Sequence, residues 1–362
     1  MNIEFLKQYL NTDSPSTFEV EAQKVWIDYV KQFTDNYETD NYCNAFTVLK
    51  SKLLIDRRFK VALDAHCDEI SWQVCSIDDN GFIRVKRYNG TDNEITPTTE
   101  IKIITNKLDD NGNYIKINGV FGTLPIHLKE RGKVTEITPE SLYIDVCAES
   151  KEEVEQLGIE LGNYVVQRKN VEFVNDKYVI SKALDDKIGG FINAEVLRTI
   201  VENKIELPFD LYIVNSAQEE VGLRGAKMIT ERIKPDVVIS FDVTFDASTP
   251  NVNNSKHGKN KINDGVIFRL GADVNKKLFD LMKNVADNCS IPYKIEVGGA
   301  GGTNTTAYNL SNGGVATSCV SIPLRYMHTP NEKISLSDTK YAIDFLVELL
   351  KVIKYEHDFK LI

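Results

Sequence analysis

The 362-residue chain reads as an α/β protein whose main domain is interrupted by a β-rich module. Three observations predict this. Over the second half, short apolar runs alternate with helical patterns, which favours a mostly parallel or mixed sheet covered on both faces. A strand of the same kind, KVALDAH at 60–66, stands far upstream. Between the two, short runs of alternating polarity are separated by glycine turns.

Taken in order, TFEVEAQKVWIDYVKQFTD at 17–35 spaces Val20, Val25, Ile27, Tyr29, Val30 and Phe33 as a helix would. Thr17, with Glu19 and Glu21 behind it, supplies a helix start. The run at 60–66 is a buried strand ending at His66 and Asp68. From about residue 72 come FIRVKRY, IKIITNKL, YIKINGVFG, LYIDV and YVVQRKNVEFV, punctuated by Asn80-Gly81, Asn89-Gly90 and Asn118-Gly119. These predict hairpins closing into a small barrel or sandwich. From about 177, a helix at 189–204 is followed by a strand at 210–217, a helix at 224–233 and a strand at 236–242. A strand at 265–270, a helix at 274–288, a strand at 315–322 and a helix at 337–354 complete the series. The polar stretch 249–264 is an exposed loop. The predicted division is 1–72 plus 177–362 as one catalytic domain and 73–176 as an inserted β-rich domain.

Composition narrows the function. There are 43 Lys and Arg against 53 Asp and Glu, a net charge of −10, with 42% hydrophobic residues. That is globular usage, and it argues against a protein that lives on nucleic-acid phosphates. The N-terminus lacks a basic stretch followed by an apolar one, and no run approaches 18 apolar residues, so neither a signal peptide nor a membrane helix is expected. Cys43, Cys67, Cys75, Cys147, Cys289 and Cys319 form no CxxC pair and read as reduced thiols. The expected compartment is the cytoplasm.

Ionisable residues sit at the ends of the apolar strands, where ligand sites of open α/β sheets gather. His66 and Asp68 lie on one side of their strand, and a carboxylate there can accept the second ring N–H of a metal-binding histidine. Cys67 should point the opposite way as a packed thiol. Asp185-Asp186 precedes a helix: it could serve the helix start, or it could offer oxygens to two cations about 3.5–4 Å apart. Glu219-Glu220 follows a buried strand, and the two side chains diverge, so one can ligate while the other acts as a general base. Asp242 ends an apolar strand and needs a cation or several donors. His328 sits in a stiff HTP loop. Together His66, Asp185, Glu220, Asp242 and His328 are two histidines and three carboxylates, a set suited to two divalent ions such as Zn²⁺, Co²⁺ or Mn²⁺.

The ordered motifs HxD, ALDDxxG, QEEVGLRGA, a strand ending in Asp, and RYMHTPxE resemble the M42 aminopeptidases. That family also includes glutamyl aminopeptidases, tetrahedral self-compartmentalising aminopeptidases and relatives labelled endoglucanases. The resemblance runs nearly the whole chain, including GVFGTLPIHL at 119–128 and AESKEEVEQLGIELGNYVV at 148–166. It implies a zinc-peptidase α/β/α sandwich with a small inserted barrel-like domain, and a homo-oligomer from dimer up to dodecamer. It implies two metal ions, zinc or cobalt first and manganese next, and short peptides as substrates. His66 and Asp242 would be ligands, Asp68 would orient His66, and Asp185, preferred over Asp186, would bridge. Glu220 and His328 would complete the centre, with Glu219 as general base. One departure stands out: relatives often carry GGTDA where this chain reads GGAGGTNTTA at 298–307, so Asn304 replaces an Asp. An Asp acting on substrate there would leave this pocket with a different charge. An endoglucanase-like hydrolase, a metal-dependent deacylase and a non-catalytic scaffold are the alternatives.

Overall fold

The structure, a computed structural model, describes residues 1–52, 59–129, 136–298 and 302–362. Residues 299–301 of the glycine-rich turn therefore lie outside the described residues. The central sheet has eight strands, ordered Tyr37–Thr39, Ala45–Leu49, Asp210–Ser216, Lys60–His66, Val237–Phe241, Ala316–Ser321, Val266–Leu270 and Tyr293–Val297. The four middle strands, from Asp210–Ser216 to Ala316–Ser321, run parallel, and their carboxyl ends point the same way. Antiparallel partners flank them.

Burial on both faces explains why these strands read as unbroken apolar runs. Val61, Leu63 and Ala65 join the core that packs under the helices Ile3–Leu10, Val20–Val30, Leu184–Glu202, Lys276–Asn288 and Leu336–Val352. Ala62 faces the other way, into a core with Ala226, Ile229, Ala307 and Tyr308 of the helices Arg224–Ile233 and Asn304–Asn309. The result is an α/β/α sandwich. Leu184–Glu202 is buried around most of its circumference and begins five residues before the helix predicted at 189–204. The short helix Ile3–Leu10, capped by the Asn2 side chain, was also absent from that reading.

After His66 the chain leaves the sheet and forms a closed six-stranded barrel, in the order Trp72–Ile77, Ile83–Arg87, Ile144–Asp145, Tyr114–Phe121, Glu100–Leu108 and Tyr164–Gln167. Trp72, Ile101, Ile103, Phe121, Ile144 and Val165 fill it. The expected run YVVQRKNVEFV splits: its first part closes the barrel, while Glu172–Val174 pairs with Tyr178–Ser181 in a small sheet that includes Glu332–Ser335. Of the three Asn-Gly pairs read as turns, Asn80-Gly81 closes a hairpin, with Gly81 at φ +82°. Asn118-Gly119 instead lies inside the strand Tyr114–Phe121, where side-chain-free Gly119 lets the Asp145 carbonyl approach closely. Asn89-Gly90 closes no hairpin, since the strand before it and the strand after it do not pair with each other.

A buried ion cluster joins barrel to sandwich. Asp13 receives Lys182 at 2.9 Å, and Lys102 and Lys116 of the barrel at 2.9 and 2.7 Å. Burial alone would raise the Asp13 carboxyl, but the three ammoniums outweigh it and hold it well below the carboxylate range.

Candidate active site

Parallel pairing brings the predicted residues to one place. Ser216 is in register with His66, and Phe241 with Val320, so the loops after four adjacent strands open at one edge. His66 ends its strand, Glu219 and Glu220 follow the second, Asp242 ends the third, and the fourth leads to His328. Asp185 enters from the start of the long helix, where its own backbone is not helical (φ −79°, ψ 106°). Ala183, Gln218 and His328 all adopt left-handed backbone conformations at this edge. Such residues cost about 1–3 kcal/mol each and persist only where their surroundings enforce them.

The enforcing contacts are visible. Glu19, read in sequence as part of a helix start, does stand at the N-cap of Val20–Val30, and its side chain accepts the Gln218 amide at 3.1 Å. Asn44 accepts the Ala217 amide at 2.8 Å. Asp68 accepts the amides of Glu219 and Glu220 at 2.9 and 3.2 Å and the Ser16 hydroxyl at 2.6 Å. Its Oδ1 also lies 3.4 Å from His66 Nδ1. Glu332, which the sequence reading quoted within RYMHTPxE but gave no role, accepts the amides of His328 at 2.7 Å and Asp185 at 3.1 Å. Its position four residues after the histidine was the available signal.

Asp185 occupies the middle. Its Oδ1 lies 3.2 Å from His66 Nε2 and its Oδ2 lies 3.2 Å from His328 Nε2. Glu220 Oε1 is 3.1 Å from His328 Nε2. Two triads of ligand atoms result, His66–Asp185–Asp242 and Asp185–Glu220–His328, each with its atoms within 4.8 Å of one another. Asp185 belongs to both. Asp186 points elsewhere and accepts the amides of His66 and Gly189. Glu219 is in neither triad but lines the same cavity, about 340 Å³, beside His66, Asp242 and Glu220. Thr244, Phe245, Arg269, Glu296 and Met327 line it as well.

The electrostatics call for cations. Burial, with Asp185 close by, pushes the Asp242 carboxyl up to about 8. Burial also raises Glu219 and Glu220, with neighbouring carboxylates adding to it. His328 is driven up to about 12: burial opposes its charge, but Asp185 and Glu220 overcome that. Buried acids in such numbers are costly unless paired with positive charge. Nitrogen and oxygen donors without thiolate, in two small clusters, fit borderline divalent ions. Among the described residues Asp242 accepts one backbone amide, Val243 N at 2.8 Å, fewer than would satisfy it without a cation.

Asn304 requires a correction. It does not line the cavity. Its side chain is buried and donates to Asp64 Oδ2 at 2.8 Å and Ser216 Oγ at 2.9 Å. The expected change of pocket charge at this position is therefore a change in the support beneath the sheet edge.

The sequence profile of the M42 glutamyl aminopeptidase family matches residues 45–345. The chain belongs to the M42 family. It is 30% identical to the lysyl aminopeptidase of Pyrococcus furiosus, over 97% of each chain. It is 28% identical to the glutamyl aminopeptidase of Lactococcus lactis subsp. cremoris, over 95% of this chain and 92% of that one. Among solved structures, the TET aminopeptidase of Thaumarchaeota archaeon SCGC AB-539-E09 superposes with a TM-score of 0.90 at 25% identity, covering 98% and 97%. The TET1 peptidase of Pyrococcus horikoshii, which can assemble into a tetrahedron or a large octahedral shell, gives 0.83 at 26% identity, covering 97% and 99%. This M42 chain is accordingly a hydrolase of the aminopeptidase class, and its family implies divalent metal. Among the described residues, no helix is long and apolar enough to cross a membrane.

Proposed function

We propose that the chain removes N-terminal residues from short peptides with two divalent cations and Glu219 as general base. The carrying observation is Asp185, whose two carboxylate oxygens face the two histidines of adjoining triads. His66, Asp185 and Asp242 would hold one ion, and Asp185, Glu220 and His328 the other. Bound there, the ions would supply Lewis acidity, lowering the pKa of water and polarising a carbonyl. Glu219 takes the proton from the attacking water and later gives it to the leaving amine. Asp68 orients His66 and fixes the backbone beneath Glu219 and Glu220.

Residues 73–176 form the assembly module in this reading, joined to a catalytic domain of 1–72 plus 177–362, and the chain is a homo-oligomer. Leu124, Ile126 and Leu128, 51%, 78% and 68% exposed, offer an apolar face for a second copy. The test is an aminoacyl-anilide panel on metal-free protein with Zn²⁺, Co²⁺ or Mn²⁺ restored. Glu219→Gln should keep both ions and lose about 10²–10⁴-fold in turnover. Turnover near that of the unaltered protein in a metal-loaded Glu219→Gln chain would refute the base assignment. Asp185→Ala with two ions retained would refute bridging.

A further inference from the structure

Asn89-Gly90 reads in sequence as one more hairpin turn, yet it closes no hairpin and reaches the candidate metal centre instead. The Gly90 carbonyl lies 2.9 Å from His328 Nδ1. A carbonyl only accepts, so Nδ1 carries a ring proton, and a cation held by Asp185 and Glu220 in place of the Nε2 proton would meet the Nε2 lone pair. The approach demands glycine: a Cβ at position 90 would stand 2.7 Å from His328 Nδ1 and 2.8 Å from Cε1. Its backbone is not left-handed, so the requirement comes from closeness and not from conformation.

The neighbouring residue serves the other histidine. Asn89 Nδ2 donates to Ser16 Oγ at 3.0 Å, and that hydroxyl donates to Asp68 Oδ2 at 2.6 Å. Asp68 Oδ1 in turn sits 3.4 Å from His66 Nδ1. Asn89 is itself held in place, since its Oδ1 accepts the Ser71 amide at 2.9 Å. Two consecutive residues, leaving the barrel strand Ile83–Arg87, thus touch both halves of the site.

We propose that Asn89-Gly90 is a positioning element: Gly90 sets the tautomer and ring angle of His328, and Asn89 steadies Asp68 through Ser16. The inserted module then tunes the catalytic centre as well as assembling it. This rests on the reading of His66 and His328 as metal ligands. Partners that fix the far nitrogen of a ligating histidine are typically worth 10–100-fold in metal affinity.

The experiment titrates the metal-free full-length chain with Zn²⁺ by calorimetry, and with Co²⁺ followed by visible absorption. The unaltered protein should take two ions per chain. Gly90→Ala should keep the first and bind the second about 10–100-fold more weakly, with an altered Co²⁺ spectrum and an unchanged melting temperature for the metal-free protein. Asn89→Ala leaves the glycine intact and guards against a folding failure of the first variant. It should weaken one ion about 10-fold, the lower end of the same range. Two-ion binding with unchanged affinity and spectrum in either well-folded variant would overturn the proposal. An unaltered protein that binds no ion would overturn the metal reading itself.

Discussion

Asn304→Asp restores the residue that relatives often carry, and the surroundings in this chain predict a specific penalty. Asn304 Nδ2 donates to Asp64 Oδ2 at 2.8 Å, and both side chains are buried. Burial already lifts the Asp64 carboxyl to about 7, against the donors Ser216 and Asn304. A second carboxylate at that separation would cost about 6 kcal/mol if both were ionised at an effective dielectric of 20. The cheaper state keeps one shared proton, as in coupled carboxyl pairs. The unaltered protein gives up its Asp64 proton near pH 7, so a pair that must still hold one at pH 8 is penalised there by about 1.4 kcal/mol more than at pH 7, at about 1.4 kcal/mol per pH unit. At pH 5 Asp64 of the unaltered protein already holds that proton, so the pH-dependent part of the penalty is absent there. The sign follows: above about pH 7 the folded variant holds a proton that the folded unaltered protein has released, so the gap in stability widens as pH rises past 7. Urea unfolding at pH 5, 6, 7 and 8 measures this. A penalty that is flat with pH, or that grows toward acid, would refute the buried-pair argument. An altered preference among aminoacyl substrates with undiminished stability would return Asn304 to the pocket.

Other outcomes follow from the same contacts. Asp13→Asn leaves Lys182 with Glu69 alone and should cost about 3–5 kcal/mol at pH 7. Because the folded Asp13 carboxyl is depressed, its contribution is present above about pH 4 and fades as pH falls further, so the two proteins should converge in acid denaturation; a constant gap would count against the ion cluster. Glu332→Gln keeps the shape but turns one of the two oxygens that accept the His328 and Asp185 amides into an NH2 donor, and should weaken metal binding about 10–100-fold in equilibrium dialysis. Adding Zn²⁺ at 100 times its dissociation constant should stabilise the metal-free protein by about 2.7 kcal/mol in thermal scans, and a chelator should reverse it. No thermal response would sink the two-triad reading.

Much of this was legible in the chain. The strands at 60–66, 210–216 and 237–241 announced themselves as apolar runs, because a parallel sheet buries both faces of each strand. The ionisable residues at their ends were conspicuous for the same reason: an Asp or His closing an apolar run has no cheap structural place. Helices with one wet face, such as Arg224–Ile233, were equally plain, whereas the buried Leu184–Glu202 lost its amphipathic signature. What the sequence by itself determined was therefore the α/β alternation, the barrel's β character and the pool of possible ligands. Tertiary structure alone decided which acids meet. It turned the two oxygens of Asp185 toward two histidines, and it sent Asp186 and Asn304 to supporting bonds. It gave Glu19, Glu332 and Asn89-Gly90 roles as anchors. Most of those contacts span tens to hundreds of residues, and their partners are ordinary acids, amides and a glycine whose local sequence carries no periodicity. The parallel register of the central sheet, with the antiparallel pairing around Glu332 and before Asn89, brings them within hydrogen-bond reach, and that pairing is a property of the packed sheets.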